Sequence, residues 1–370
     1  MTTTPDSSPA VTGPGIPTAR NVDHVAYTVP DLDAAVAFFS DHLAADLLYT
    51  LDSVSDPEGD WMAVQLGVHP RAEARIALLR LGPTLNLELF QYSTPDQETT
   101  APRITDVGGH RLGIDVSDLD AAVAYMRDVP GVVVRDEIRS PASAPDAGCR
   151  RACFESPWGM HFELRQVPDR LPCESDPTIR YFRPGPQPGT PAPRGVPGAL
   201  GVGMCSYTVA DLDASVAFYT SVLGGRLLYR HRWSLDTPEV AARYGAGQTG
   251  AAETAMLRLG PVTQVELTRY EVADQRTHLP RNSDIGGHHL AFFVDDVDAA
   301  AAFLRTTPGV QVLGEPQLVD DGGPIHGDRW VYFTAPTGAQ LEVIHMPDGM
   351  PYEKFTEARR FGPSPKWENT

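Results

Sequence analysis

Residues 22–39 read VDHVAYTVPDLDAAVAFF. The first half carries alternating, β-prone residues, the period of a half-buried strand. The second half sets Asp31 ahead of Leu32, Val36 and Phe39, apolar positions at helical spacing. An Asp there accepts hydrogen bonds from the unpaired N–H groups of a first helical turn. The stretch therefore predicts a strand followed directly by a helix. Three others repeat it: HRLGIDVSDLDAAVAYM from His110, VGMCSYTVADLDASVAFY from Val202 and HHLAFFVDDVDAAAAFL from His288, with Asp118, Asp211 and Asp296 before their Ala-rich runs. Self-similarity of this kind governs every later reading of the chain.

The ends of the repeats also match. LRLGPTLNLELFQY from Leu79 resembles LRLGPVTQVELTRY from Leu257, and FESPWGMHFELRQVPD from Phe154 resembles FTAPTGAQLEVIHMPD from Phe333. The second pair shows a Pro/Gly turn feeding a strand with a central Glu. An α+β fold of four βαβββ modules is expected, at 21–103, 104–168, 199–281 and 282–347. These give two domains, 21–168 and 199–347. Residues 1–20 lack the basic start and apolar core of a signal peptide and read as a disordered tail. Residues 169–198, ending in RPGPQPGTPAPRGVPG, read as a Pro-rich extended linker rather than a packed element. Residues 348–370 read as a C-terminal tail whose Tyr352, Phe355 and Trp367 pack over a domain or a partner.

Composition narrows the function classes. A net charge of −18 over 370 residues opposes nucleic-acid binding, because phosphates would be repelled. No apolar run of about 18 residues exists, so no membrane span is expected. Cys149, Cys153, Cys173 and Cys205 lack a second Cys or His pair at zinc-finger spacing and read as free thiols of a cytoplasmic protein.

The repeated strand-first module, its DLDAAVAF-type helix start and the LELF and HHLAF strands resemble the vicinal-oxygen-chelate superfamily of glyoxalases, bleomycin-resistance proteins and extradiol dioxygenases. The resemblance covers about 300 residues, all but the tails and linker. It implies that modules pair into cupped half-barrels, two pairs in all. It also implies that each module offers an inward ligand position on its first and last strands. Those positions are His24, Arg111, Met204 and His289, then Glu88, Glu163, Glu266 and Glu342. Slipping to His288 would turn the side chain to the other face. His110 and His288, of opposite parity, are expected either to support the ligands from behind or to lie on the surface, and His161 is a candidate to supplement Glu163.

If neighbouring modules pair, His24, Glu88, Arg111 and Glu163 form one set, and Met204, Glu266, His289 and Glu342 the other. Neither suits a cation. If the first pairs with the fourth, His24, Glu88, His289 and Glu342 form a full two-His, two-carboxylate set, and the second site is spoiled by Arg111 and Met204. The second arrangement is expected, within one chain or across a homodimer. A buried carboxylate costs several kcal/mol unless compensated, and a cation relieves that cost.

Such a set suits one divalent ion per chain, Fe, Mn, Ni, Co or Zn, and a small substrate bound through vicinal oxygens. The expected activity is a metal-dependent isomerase or epimerase of an α-hydroxyketone, working through a metal-stabilised enediolate with Glu88 or Glu342 as base. Length and layout resemble the bacterial epimerases of cyclitol biosynthesis that act on 2-epi-5-epi-valiolone. The alternatives are an Fe(II) extradiol-type dioxygenase, with His24, His289 and Glu342 as ligands, and a non-enzymatic small-molecule-binding protein. Gln340, beside Glu342, is a candidate substrate contact.

Overall fold

The computed structural model describes residues 15–135, 137–141, 144–185, 194–237 and 249–368. The first module runs β1 (Ala19–Thr28), α1 (Leu32–His42), β2 (Asp46–Ser55), a short α2 (Trp61–Leu66), β3 (Glu73–Leu81) and β4 (Leu85–Ser93). The second runs β5 (His110–Val116), α3 (Leu119–Asp128), β6 (Val133–Val134), β7 (Arg150–Glu155) and β8 (His161–Gln166). The third runs β9 (Ala199–Thr208), α4 (Leu212–Ser221), β10 (Arg226–Ser234), β11 (Ala251–Arg258) and β12 (Gln264–Glu271). The fourth runs β13 (His288–Val294), α5 (Val297–Thr306), β14 (Gln311–Val312), β15 (Gln317–Leu318), β16 (Arg329–Thr334) and β17 (Gln340–His345).

The four helices that open the modules start alike. The carboxylates of Asp31, Asp118, Asp211 and Asp296 accept from the backbone N–H three residues on, at 2.9–3.0 Å. Each such cap contributes about 1 kcal/mol. In α1, Leu32, Ala35, Phe38 and Phe39 are buried, the stripe that a helix lays against a sheet.

Among the described residues the strands form two sheets. One has the order β14-β16-β17-β13-β1-β4-β3-β2, with β15 on β16; the other has the order β10-β11-β12-β9-β5-β8-β7-β6. The joins are antiparallel, β1 with β13 and β5 with β9. The first module therefore shares a sheet with the fourth, and the second with the third. The sheets cross the division of the chain into 21–168 and 199–347.

One apolar core joins helices and strands of all four modules. In it Phe38 of α1 packs on Trp158, with ring centroids 5.2 Å apart, and on Phe162 of β8 at 6.0 Å. The sheets also meet at His110 and His288. Tyr27 stacks on His110 at 4.7 Å, Tyr207 on His288 at 4.9 Å, and the two imidazoles lie 5.0 Å apart. Burial, then the neighbouring imidazoles His288 and His161, pushes His110 well below the usual imidazole range. Burial pushes His288 down to about 4. Both histidines are neutral packing groups of the seam.

Two expectations need correction. Residues 1–14 lie outside the described residues, but Ile16, placed in the disordered tail, is buried, and Thr18 accepts from Asp296 N–H at 3.0 Å. Much of the expected linker is also packed. Residues 168–188, PDRLPCESDPTIRYFRPGPQP, repeat as 347–367, PDGMPYEKFTEARRFGPSPKW. Both straps open with a 3-10 turn, Pro172–Ser175 and Pro351–Lys354. Phe182 N–H donates to Gln264 Oε1 at 3.1 Å, and Gln264 Nε2 donates back to the Phe182 carbonyl at 3.3 Å. Phe361 and Asn86 exchange the same pair at 2.7 and 3.0 Å. Leu171 and Tyr181 are buried against Met204, Leu228 and Met256. Proline denies these segments ladder hydrogen bonds, but side-chain amides replace them, so proline content did not mean absence of packing. Residues 186–193 of the linker lie outside the described residues.

Candidate metal centre

Four adjacent strands, β17, β13, β1 and β4, each place one expected ligand on the same face. Across β1 and β13, Ala26 stands opposite His289 and His24 opposite Ala291. Across β1 and β4, Ala26 aligns with Glu88; across β13 and β17, Ala291 aligns with Glu342. The period-2 pleat then turns His24, Glu88, His289 and Glu342 inward together. One donor atom from each lies within 4.8 Å of the others. His24 Nε2 is 3.3 Å from Glu88 Oε2 and 3.2 Å from Glu342 Oε2. His289 Nε2 is 3.6 and 3.4 Å from the same two oxygens. A single chain brings all four together.

The imidazoles are held by two partners, Asp23 and Asn282, that strand alternation alone does not mark. Asp23 is the extra residue of a β-bulge: Val22 faces Phe292 while His24 already faces Ala291. Bulges re-aim side chains beside sites. Asp23 Oδ1 stands 3.1 Å from His24 Nδ1, and Asn282 Oδ1 stands 3.1 Å from His289 Nδ1. Both acceptors place the ring proton on Nδ1 and leave Nε2 to the cluster. The Tyr332 hydroxyl lies 3.4 Å from His289 Nε2.

Burial opposes a charge on His24, yet Glu88, Asp23 and Glu342 together raise it well above the usual imidazole range. Burial likewise opposes a charge on Glu88, but His24 and His289 hold it down at about 2. Burial, then the charges of Glu342, Asp23 and Glu88, pushes Asp328 well above the usual carboxylate range. Burial, then the charges of Glu342 and Glu88, also raises Tyr332 well above the usual phenol range.

The residues fit a divalent cation. His24 Nε2, Glu88 Oε2 and Glu342 Oε2 are buried and make no hydrogen bond, although they converge. Donor atoms about 2.1 Å from one ion sit roughly 3.0–3.4 Å from each other, close to the spacing seen. The surroundings are acidic, with Asp23 and Asp328 beside the two Glu and Arg360 bound to Asp23 at 3.0 Å.

The second half-barrel is built alike and filled differently. Arg111 is hydrogen-bonded to Glu266 and lies 3.8 Å from Glu163. Ser206 donates to Glu266 at 2.9 Å, and Met204 is buried. The guanidinium supplies the positive charge between two carboxylates. A cavity of about 590 Å³ opens over Arg111, with Arg151, Trp233 and Tyr270 among its walls. That cavity lies away from the two-His, two-Glu cluster, where Glu88, with 13% side-chain exposure, is the most open member. His161 stands 3.4 Å from Glu155. Gln340 donates to the Leu66 carbonyl at 3.1 Å, which ties it to the end of α2. All four cysteines are free. No helix among the described residues is long and apolar enough to cross a membrane.

Comparison of the modules with one another holds the signal for Asp23 and Asn282. RNSDIGGHH (281–289) matches RITDVGGHR (103–111), so Asn282 corresponds to Ile104 as His289 does to Arg111. VDH (22–24) matches VGM (202–204), so Asp23 corresponds to Gly203 as His24 does to Met204. In each case the orienting acceptor is present where the imidazole is present.

Comparison with known proteins agrees with this architecture. Two sequence profiles, both described as Glyoxalase/Bleomycin resistance protein/Dioxygenase superfamily, match residues 23–154 and 201–343. A 2-epi-5-epi-valiolone epimerase from Actinomyces sp is 51% identical over 176 residues, 48% of this chain and 96% of the relative. Glyoxalase I from Zea mays superposes with a TM-score of 0.53 at 19% identity, over 88% of this chain and 92% of that one. A putative dioxygenase from Bacillus subtilis superposes with a TM-score of 0.51 at 12% identity, over 90% and 87%. With profiles on both halves and the same fold throughout, the chain belongs to the Glyoxalase/Bleomycin resistance protein/Dioxygenase superfamily.

Proposed function

We propose that the chain is a metal-dependent epimerase of an α-hydroxyketone of the keto-cyclitol class, 2-epi-5-epi-valiolone or a close analogue. The observation that carries this reading is the convergence of His24, Glu88, His289 and Glu342 within 4.8 Å. The 51% identity to an epimerase supports the reaction class. These four side chains would hold a divalent cation, which would supply Lewis-acid polarisation of a substrate carbonyl.

The chain supplies the rest. His24 and His289 hold the site through Nε2, with Asp23 and Asn282 fixing their rings. Glu88 on β4 and Glu342 on β17 flank the two His strands from opposite sides. Glu88, the more open of the two, takes the proton from the α-carbon and leaves an enediolate. Glu342, protonated from solvent, delivers that proton to the opposite face and inverts the centre, while Glu88 gives up its proton to solvent. The Tyr332 hydroxyl donates a hydrogen bond to a substrate oxygen.

Turnover of 2-epi-5-epi-valiolone in heavy water tests the reading. Deuterium is expected at the α-carbon of the epimerised product. Epimerisation with no deuterium entering would overturn the proton-transfer mechanism. The dioxygenase alternative leaves Glu88 outside the donor set, whereas Glu88 Oε2 is as near His24 Nε2 as Glu342 is. The binding-protein alternative lacks support beside a relative that is an enzyme.

A further inference from the structure

We propose that Arg360, on the C-terminal strap, is a positioning residue for the metal centre: through Asp23 it fixes the His24 imidazole with Nε2 turned toward Glu88 and Glu342. The inference rests on reading that cluster as a cation site.

The chain of contacts is continuous and buried. Arg360 Nη1 donates to Asp23 Oδ2 at 3.0 Å, and Asp23 Oδ1 faces His24 Nδ1 at 3.1 Å. Side-chain exposures are 7% for Arg360, 0% for Asp23 and 1% for His24. Arg360 is itself fixed, because Nη2 donates to the Met346 carbonyl at 2.8 Å and the guanidinium lies over the Phe293 ring. A carboxylate held at both oxygens has one orientation, so the imidazole bonded to it has one ring plane and one tautomer.

The second half-barrel serves as an internal control. Its strap keeps the same Pro turn and the same two-hydrogen-bond bridge, Phe182 with Gln264 in place of Phe361 with Asn86. Docking of a strap therefore does not need an arginine at the position of Arg360, although Arg183 of that strap pairs with Glu174. At the position of Arg360 that strap has Tyr181, at that of Asp23 the chain has Gly203, and at that of His24 it has Met204. A Cβ at Gly203 would lie 2.3 Å from Asp115 Oδ1, so the Asp115 carboxylate, in place of an Asp at 203, takes up that space. Arginine, aspartate and histidine are present together in one half and absent together in the other, as expected of three parts of one device.

Cobalt(II) titration of the full-length, metal-stripped protein, followed by its visible absorption, tests this. R360M is expected to weaken cobalt binding about 10–100-fold and to alter the band, with R360K restoring part of both. D23N should weaken binding similarly, and R360M added to D23N should cost little more, because both changes break one path. W367A loosens the strap elsewhere, removing the 3.0 Å bond from Trp367 Nε1 to the Gly224 carbonyl, and should leave cobalt affinity unchanged. Wild-type affinity and spectrum in R360M, full additivity with D23N, or an equal loss in W367A would each overturn the inference. If R360M does not fold, D23N carries the test, and unchanged affinity there overturns it. Failure of the unaltered protein to bind cobalt would instead overturn the metal reading beneath it.

Discussion

Replacing Arg111 by Met removes the cation that stands between two carboxylates in the second half-barrel. Side-chain exposure is 6% for Arg111, 1% for Glu163 and 9% for Glu266, so solvent screens these charges little. Deleting one partner of such a buried set costs about 3–5 kcal/mol. Met is unbranched and of comparable reach, so the packing loss should be small beside the electrostatic one. The two origins separate by pH. Without the guanidinium, the carboxylates ionise less readily in the folded state than in the unfolded chain. A raised folded pKa means that the folded variant binds more protons, so its deficit shrinks as pH falls. Urea unfolding followed by circular dichroism should show the full deficit at about pH 7.5 and a clearly smaller one at about pH 5. A deficit under about 1 kcal/mol at the higher pH, or one that grows on acidification, would refute the role given to Arg111.

Three further outcomes follow from the same geometry. In the metal-free protein, Glu88, Asp23 and Glu342 raise His24 against the opposing effect of burial. The stability this contributes is present below the ordinary value of 6.5 and is lost as pH rises through the higher folded value. Metal-free protein should therefore melt at lower temperature on the alkaline side, and addition of Zn(II) should abolish that trend. Zinc binding near neutral pH should also release a proton from His24, measurable with an indicator dye in weak buffer; binding without release would contradict the charge arrangement. Fragments 1–198 and 199–370 should not fold as monomers, because each loses the antiparallel partners of two central strands, along the β1–β13 and β5–β9 joins. Size-exclusion chromatography and circular dichroism of the fragments, apart and co-refolded, check this, and a cooperatively folded monomeric fragment would contradict it.

Much of the architecture can be read from short local signals. Asp31, Asp118, Asp211 and Asp296 mark helix starts because a carboxylate before an Ala-rich run has one common use, and each accepts the expected bond. The pairing of first with fourth module was legible because ligand losses at Arg111 and Met204 make sense only together. Other features escaped because they depend on long-range contacts. The straps look like spacers in sequence because proline reports on backbone hydrogen bonding and not on burial, and Asn86 and Gln264 reach them across the fold. Asp23 is hidden in sequence because strict alternation sends it to the opposite face from His24, and only the bulge lets its side chain reach the imidazole ring. His110 and His288 hold the seam between sheets, which no pattern within one strand reveals.

Metal content of the stripped and reloaded full-length protein decides whether the first and fourth modules together build one metal centre. One ion per chain is expected, lost in His24→Ala and equally in His289→Ala, and retained in Arg111→Met. No bound ion, two ions per chain, or loss in only one of the histidine variants would contradict it.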